Sequence, residues 1–378
     1  MHSDRLSILF AGGGTGGHLF PALAIADEIR KLRPVAEIAF VGTRDKIEAR
    51  VVPNRGYAFH TIWISGFTRS FRPGNILFPV KVMVALVQSL FLIRKLKPEV
   101  VVGTGGYVCG PVLWVASLLG VPIVVQEQNS YPGFTTRLLA PRADEVHISF
   151  ESSRSYLKRR DNVKLSGNPT QEMLGKISRV EGARFFGLDP TRNTVLVFGG
   201  SLGAGSINET MMHFYPELVA SGVQILWQAG VKDAGRIRKH VEERALNETV
   251  KVHAFIDQMA YAYAACDLAV CRAGATTVAE LAQAGVPSIL VPYPHAAADH
   301  QTKNAGAMVQ GGAAAMIRDQ DLHDKLLPVL QNLLNDSGER KRMSDSARRL
   351  SKPDAARTIA QAVLNLTGIH HGRPGKGL

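Results

Sequence analysis

The chain has 378 residues, 46% hydrophobic and 20% charged, which excludes a disordered or fibrous protein and gives room for two domains, each with its own core. Its net charge of +12 is uneven: residues 1–168 hold 21 Lys and Arg against 12 Asp and Glu, the remainder 23 against 20. A basic first half predicts an anionic partner (phosphates, an acidic membrane surface or nucleic acid), with plain solubility as the bland alternative.

The opening MHSDRLSILFAGGG has too short an apolar run for a secretory signal, so a cytosolic or membrane-face protein is expected. Arg5–Ala11 reads as a buried strand, GGGTGG as the loop after it, and HLFPALAIADEIRKL as a helix with apolar residues at helical spacing. Short strand-like runs follow at Glu37–Val41, His60–Ile64, Val100–Val102, Pro122–Gln126 and Glu145–Ile148. Among them lies Ile76–Ile93, eighteen residues whose single charge is Lys81, preceded by Arg69 and Arg72 and followed by Arg94, Lys95 and Lys97. Its length only reaches the span threshold of about 18 residues, and Pro79, Lys81, Gln88 and Ser89 argue against a span. Two readings remain: a helix that simply covers a sheet, or one that also shows an apolar edge in a basic rim and docks on anionic lipid.

Leu165-Ser-Gly-Asn-Pro-Thr170 reads as a hinge, dividing a first domain, 1–166, from a second, 167–349. The second half repeats the opening device: strand Thr194–Phe198, loop GGSLGAGSIN, and a helix through Leu218. Further strands are expected at Val223–Gln228, Val250–Phe255, Asp267–Cys271, Pro287–Val291 and Ala313–Ile317. A long polar helix from about Asp336, broken at Pro353, is expected to return to the first domain, with 350–368 packed on it and 369–378 a disordered tail. Buried strands alternating with helices predict an α/β chain of two Rossmann-like, doubly wound parallel sheets. Cys109, Cys266 and Cys271 have neither metal nor disulfide spacing and suit a reducing compartment.

Gly12, Gly14 and Gly17 form G-x-G-x-x-G, but a dinucleotide site wants an acid at the end of the second strand. That strand ends Phe40-Val41-Gly42-Thr43-Arg44, and Glu37 stands at the wrong end, so a dehydrogenase is disfavoured. What remains is a bare backbone loop suited to phosphate or a polar head group. His18, one turn into the helix, is either a capping and packing residue or a neutral imidazole able to accept a hydroxyl proton. In the second loop Ser201 can donate to a phosphate oxygen. Cys271-Arg-Ala-Gly-Ala-Thr-Thr-Val-Ala-Glu280 is a strand end, a tight turn and a helix whose N-terminal N–H groups suit a diphosphate, with Glu280 placed to accept from both ribose hydroxyls. His295–Asn304 is a reader of sugar hydroxyls or an ordinary polar loop. Asp319-Gln-Asp321, a D-x-D far in sequence from these loops, reads as an acid cluster at a helix start, and no obligatory metal or other cofactor is expected.

Taken in order, GGGTGGHLFPALAIA, VVGTGGYVCGP, QEQNSYPG, GNPT, GGSLGAGSIN, CRAGATTVAE and HAAADHQTKNA resemble the MurG family of glycosyltransferases along nearly the whole chain. The resemblance implies a GT-B fold, two Rossmann-like domains facing a cleft, with donor mainly on the C-terminal domain and acceptor on the N-terminal one. It implies transfer of N-acetylglucosamine from UDP-GlcNAc to the C4 hydroxyl of lipid I, the N-acetylmuramoyl-pentapeptide on undecaprenyl pyrophosphate. The product is lipid II, with inversion at the transferred sugar. On this resemblance Thr15, Gly16 and Gly17 line the cleft, His18 is the candidate base, and Asn129 lies near the donor sugar. Ser201 meets the diphosphate and the Ile256 backbone the uracil. Ala275, Thr276, Thr277, Val278, Ala279 and Glu280 hold phosphate and ribose, Gln301 reads the transferred sugar, and Gly105, Gly106 and Tyr107 face the acceptor. The implied setting is the cytoplasmic face of the bacterial inner membrane, peripheral, with anionic lipids and other cell-wall synthesis and division proteins as further partners and no nucleic acid. One departure stands out: many relatives have arginine two residues after the hinge Asn-Pro, where this chain has Gln171, which supplies only an uncharged amide. Arg272 is a candidate to compensate, though its direction is not readable from sequence. Two rivals stay open: another GT-B enzyme (a UDP-N-acetylglucosamine epimerase or glycolipid transferase), and a non-catalytic UDP-sugar-binding scaffold.

Overall fold

The computed structural model describes residues 6–66, 77–200, 203–296 and 299–367. Ser201, Arg69, Arg72, Ile76, Ala297, Ala298 and the 369–378 tail therefore lie outside the described residues. The chain forms two compact units, one running to Thr170 and taking up again at Pro353, the other Gln171–Lys352.

In the first unit the elements run β1 (Ser7–Ala11), α1 (Gly16–Leu32), β2 (Glu37–Gly42), α2 (Ile47–Asn54), β3 (Ala58–Thr61), α3 (Phe78–Leu96) and β4 (Val100–Gly103). They continue with α4 (Cys109–Leu118), β5 (Ile123–Glu127), α5 (Phe134–Leu139), β6 (Glu145–Ile148) and β7 (Val163–Leu165). All strands pair in parallel, in the order β3-β2-β1-β4-β5-β6-β7. Strands covered on both faces read as unbroken apolar runs, and Val100–Val102 and Ile123–Val125 are buried throughout. Parallel neighbours need crossovers, which the helices supply.

The last strand was not foreseen. Val163–Leu165 lies at the sheet edge and runs directly into the Gly/Pro segment that reads as a hinge. Ser166 and Gly167 then both donate backbone N–H groups to the Ile148 carbonyl, and Gln126 Nε2 reaches Asn168 Oδ1 at 3.5 Å, so the chain stays on this sheet almost to Thr170.

The second unit runs α6 (Arg179–Phe185), β8 (Thr194–Phe198), α7 (Gly205–Ala220), β9 (Gln224–Gln228), α8 (Val231–Glu242), β10 (Val250–His253) and α9 (Met259–Ala265). It continues with β11 (Leu268–Cys271), α10 (Ala275–Ala284), β12 (Ser288–Leu290), α11 (His300–Gln310), β13 (Ala314–Met316), α12 (Leu322–Asn335) and α13 (Ser337–Leu350). Its sheet, also parallel, has the order β10-β9-β8-β11-β12-β13.

The polar stretch after Asp336, expected to break at Pro353 and return to the first domain, divides there, and only its second part returns. Helix α13 stays with the second unit, burying Met343 and Ala347, and Arg348 lies against Gly285 at the end of α10. Only α14 (Ala355–Asn365), past Pro353, joins the first unit, where Ile359, Ala360 and Val363 enter the core with Leu19, Ile25 and Ile29 of α1. Each helix follows its own apolar stripe, and Pro353 ends the polar run between them.

Candidate active site

In the first unit the site grows from the loop between β1 and α1. Gly14 N–H donates to Glu48 Oε2 (3.0 Å), and Thr43 donates its N–H and Oγ1 to Glu48 Oε1 (3.1 and 3.0 Å). Glu48, fully buried on α2, is the acid that the end of the second strand lacks, but it is spent on backbone and threonine donors. A Cβ on Gly13 would lie 2.5 Å from Glu48 Oε1, so this close approach needs glycine.

A second glycine turn presses on the first from β4. Gly105 and Gly106 have φ of +101° and +83°; a Cβ on Gly106 would meet the Gly13 carbonyl oxygen at 2.6 Å, and one on Gly105 would meet His18 Cδ2 at 2.7 Å. The Tyr107 ring borders Gly14 and Gly66. Thr104 Oγ1 donates to the His18 carbonyl (2.8 Å), and the Cys109 thiol, pushed up to about 12 by burial, donates to the Ala11 carbonyl (2.8 Å). Thus Thr15, Gly16, Gly17, His18, Gly105, Gly106 and Tyr107 all belong to these two apposed turns, with Thr15 and Gly17 exposed.

His18 Nδ1 is 3.2 Å from the Gly13 carbonyl and 3.2 Å from Thr15 Oγ1. A carbonyl only accepts, so Nδ1 carries the proton and Nε2 presents a lone pair in the neutral ring. Burial holds the imidazole below its ordinary range, opposed in part by Glu127, the Gly13 carbonyl and Glu48. At neutral pH this is a proton acceptor. Glu127, at the end of β5, locks the next loop: its Oε1 accepts from both N–H and Nδ2 of Asn129 (3.0 and 3.1 Å), its Oε2 from Gly133 N–H (2.9 Å).

In the second unit the strand ends of β8, β9, β11 and β12 gather the remaining residues. Gly203, with φ of +80°, would place a Cβ 2.4 Å from the Ala229 carbonyl, so the loop before α7 closes tightly on the end of β9. Gln228 bridges two loops: its Nε2 donates to the Gly200 carbonyl (3.0 Å) and its Oε1 accepts from Ile256 N–H (2.8 Å). Of the Ile256 backbone expected to meet a base, the N–H is therefore already committed to Gln228.

Helix α10 opens at Gly274 with no side chain capping its first turn, and Thr276 Oγ1 is buried without a hydrogen-bond partner. Ala275 and Val278 are buried while Thr277 and Ala279 are partly exposed, which seats the helix and leaves one flank open. Such a terminus offers N–H groups and partial positive charge to an anion. Glu280 accepts from the buried Tyr263 hydroxyl (2.9 Å). Burial pushes its carboxyl up to about 7, and this bond pulls it back down. Gln301 Oε1 accepts from Tyr293 N–H (2.9 Å), and the Gln171 carbonyl accepts from Gln283 Nε2 (3.4 Å).

Arg272 and Asp319 come together at the strand ends of the second unit. Arg272 points to Asp319 Oδ1, to Ser206 Oγ (2.8 Å) and to the carbonyls of Val291 and Pro292, so much of its donor capacity is already used and it is tied away from a compensating role. Asp319, set apart from the phosphate loops in the sequence, sits against them, also accepting from Ser206 Oγ (2.7 Å). Parallel strands bring their C-terminal ends to one edge, so residues just past β13 meet those just past β11. Asp319 and Asp321 both lie in the first turn of a short 3-10 helix ahead of α12, the acid cluster at a helix start that the sequence suggests, and Asp321 pairs with Lys325 (3.0 Å).

The apolar segment before β4 is helix α3, which is not long and apolar enough to cross a membrane; nor is any other helix among the described residues. It buries Ala85, Ser89 and Ile93 and exposes Val80, Met83 (62%), Val87 and Phe91 (68%) on another face. Lys81 donates to Ser65 Oγ (3.0 Å) and Gln88 accepts from Trp63 N–H (2.7 Å), which ties the chain after β3 to the helix. Arg94, Lys95 and Lys97 are exposed at its end.

Two parallel-sheet units, each with a glycine loop between its first strand and a helix, make up the GT-B architecture. The glycosyltransferase family 28 N-terminal domain matches residues 8–148 and the family's C-terminal domain residues 194–359. A Salinibacter ruber protein, UDP-N-acetylglucosamine–N-acetylmuramyl-(pentapeptide) pyrophosphoryl-undecaprenol N-acetylglucosamine transferase, is 45% identical over 95% of this chain and 96% of its own length. A Prosthecochloris aestuarii protein of the same name is 44% identical over 96% of this chain and 100% of its own. The crystal structure of Acinetobacter baumannii MurG superimposes with a TM-score of 0.72 at 27% identity, covering 96% of this chain and all of that one. A putative UDP-N-acetylglucosamine 2-epimerase from Listeria monocytogenes, with a TM-score of 0.69 at 12% identity over 99% of this chain and 100% of its own, shares the fold alone. The chain belongs to glycosyltransferase family 28 and, within it, to the MurG family.

Proposed function

We propose that the chain moves N-acetylglucosamine from UDP-GlcNAc to the C4 hydroxyl of lipid I, forming lipid II for peptidoglycan. The observation that carries this reading is the 45% identity, over 95% of the chain, to a transferase named for that substrate pair.

The geometry supports a single displacement. His18 Nε2 removes the proton from the acceptor hydroxyl as its oxygen attacks the anomeric carbon and UDP departs. Gly105, Gly106 and Tyr107 take the acceptor side, with Thr15, Gly16 and Gly17 beside the reacting groups. The charge growing on the diphosphate is met by the N–H groups of Ala275, Thr276 and Thr277, oriented dipoles that stabilise it without a metal, and Ser201 is a further donor to it. Val278 holds the helix in place, Ala279 lies on its open flank beside the donor, Glu280 accepts from the ribose hydroxyls, and the Ile256 carbonyl meets the uracil. Gln301 and Asn129 read the sugar, and Gln171 supplies a neutral amide to the donor.

The exposed face of α3 and its basic end suit a peripheral protein on the cytoplasmic face of the inner membrane, docked on anionic lipid. Other cell-wall synthesis and division proteins are further proposed partners.

Purified chain, radiolabelled UDP-GlcNAc and lipid I in detergent test the reading. Label should pass to the lipid as a disaccharide, with one UDP released per lipid converted. Release of free sugar or its 2-epimer with no need for lipid would overturn it, as would donor binding with no turnover.

A further inference from the structure

Helix α9 reads MAYAYAA, and its two tyrosines have different fates. Tyr261 stacks on Phe185, with ring centroids 4.6 Å apart. Tyr263 is buried, its ring edge-on to Phe198 at 6.0 Å, inside a core of Leu196, Ala269, Val278 and Leu281. That surrounding would hold a phenylalanine equally well. What distinguishes tyrosine is the hydroxyl, and it donates to Glu280 Oε2 at 2.9 Å.

We propose that Tyr263 is a positioning residue for the donor site: its hydroxyl fixes the Glu280 carboxylate and keeps it a hydrogen-bond acceptor for the ribose hydroxyls. The inference rests on the reading of Glu280 as the ribose ligand. With Oε2 held from below by Tyr263, Oε1 and the second lone pair of Oε2 remain, and Glu280 keeps partial exposure. Two hydroxyl donors need an ionised carboxylate, since a protonated one turns an acceptor into a donor.

The carboxyl's upward displacement, to about 7, reflects two opposing influences: burial, and the Tyr263 bond that counters it. The other titratable groups around Tyr263 are the thiols of Cys266 and Cys271, both kept neutral by burial. Of the other helices packed on α10, α13 brings Arg348 to Gly285 at the far end, and α11 carries His300 and Lys303. Removing the phenol should therefore push the carboxyl further up, so that it is mostly protonated at neutral pH.

The test is donor KM and kcat for the full chain from pH 6 to 9, with Tyr263→Phe beside Glu280→Ala. A hydrogen bond to a charged group corresponds to roughly tenfold in affinity, or about one pH unit. Tyr263→Phe should raise donor KM about fivefold at pH 7 and nearly tenfold at pH 6, leave kcat within about twofold, and show a gap that closes toward pH 9. Fluorotyrosine at 263, a stronger donor in nearly the same volume, should move the KM profile toward acid and keeps the test open should Tyr263→Phe fold poorly. A loss spread evenly over pH, or a fall in kcat at unchanged KM, would mark a merely structural tyrosine and overturn the proposal. If Glu280→Ala raises KM and neither Tyr263 variant moves the profile, only this inference fails. If Glu280→Ala leaves KM unchanged, the ribose reading falls and this inference with it.

Discussion

His18 owes its chemistry to a backbone carbonyl. Gly13 fixes the proton on Nδ1, and the crowded glycine turns bury the ring enough to keep it neutral at pH 7. His18→Ala should lower kcat by about 10²–10⁴ while UDP affinity, measured by calorimetry, stays within about twofold. In the wild type, kcat should be flat above the ordinary imidazole value of 6.5 and fall only below it, because the folded-state pKa is lowered. Glu280→Ala, by contrast, should raise donor KM by at least about tenfold with the fold intact. Glu48 acts on structure: replacing it with alanine leaves the buried Thr43 N–H and hydroxyl and the part-buried Gly14 N–H without this acceptor, at about 1–3 kcal/mol for each buried donor. Urea denaturation should show Glu48→Ala destabilised by about 3 kcal/mol or more; a loss under 1 kcal/mol would mean water replaces the carboxylate. His18 and Glu280 were legible in the sequence because each stands beside a glycine turn at a helix start. Glu48, Gln228, Tyr263 and Asp319 were not, because their partners lie 17 to 47 residues or more away for all but the nearest contacts.

At the scale of elements, α3 is the one whose composition and environment disagree. A helix that only covers a sheet keeps one face apolar, yet here Val80, Met83, Val87 and Phe91 are turned outward. Cations near an anionic membrane contribute about 1 kcal/mol each, so changing Arg94, Lys95 and Lys97 to glutamine should sharply weaken co-sedimentation with anionic vesicles and leave neutral ones unaffected. Equal sedimentation of both proteins would reduce these charges to a solvated helix end. The sequence showed that α3 is apolar and flanked by charge; which residues turn outward depends on what α4 covers, which periodicity alone does not reveal. Likewise α13 and α14 look like one polar run broken at Pro353, and only the burial of Met343 and Ala347 in one core and of Ile359 and Val363 in another separates them.

At the scale of the molecule, strand and helix alternate so regularly that two parallel sheets were readable before any coordinates, and the runs Glu145–Ile148 and Thr194–Phe198 match their strands end to end. Strand β7 escaped because three residues at a sheet edge carry almost no periodic signal. The proposed chemistry that joins these scales is one displacement at the anomeric carbon, with His18 as base and the α10 terminus receiving the diphosphate. Inversion is the signature of that step, and the measurement that tests it is the anomeric configuration of the lipid-linked disaccharide, read by NMR after release from the carrier. Starting from the α-linked donor, the account predicts the β-1,4 product alone; an α-linked product would contradict it.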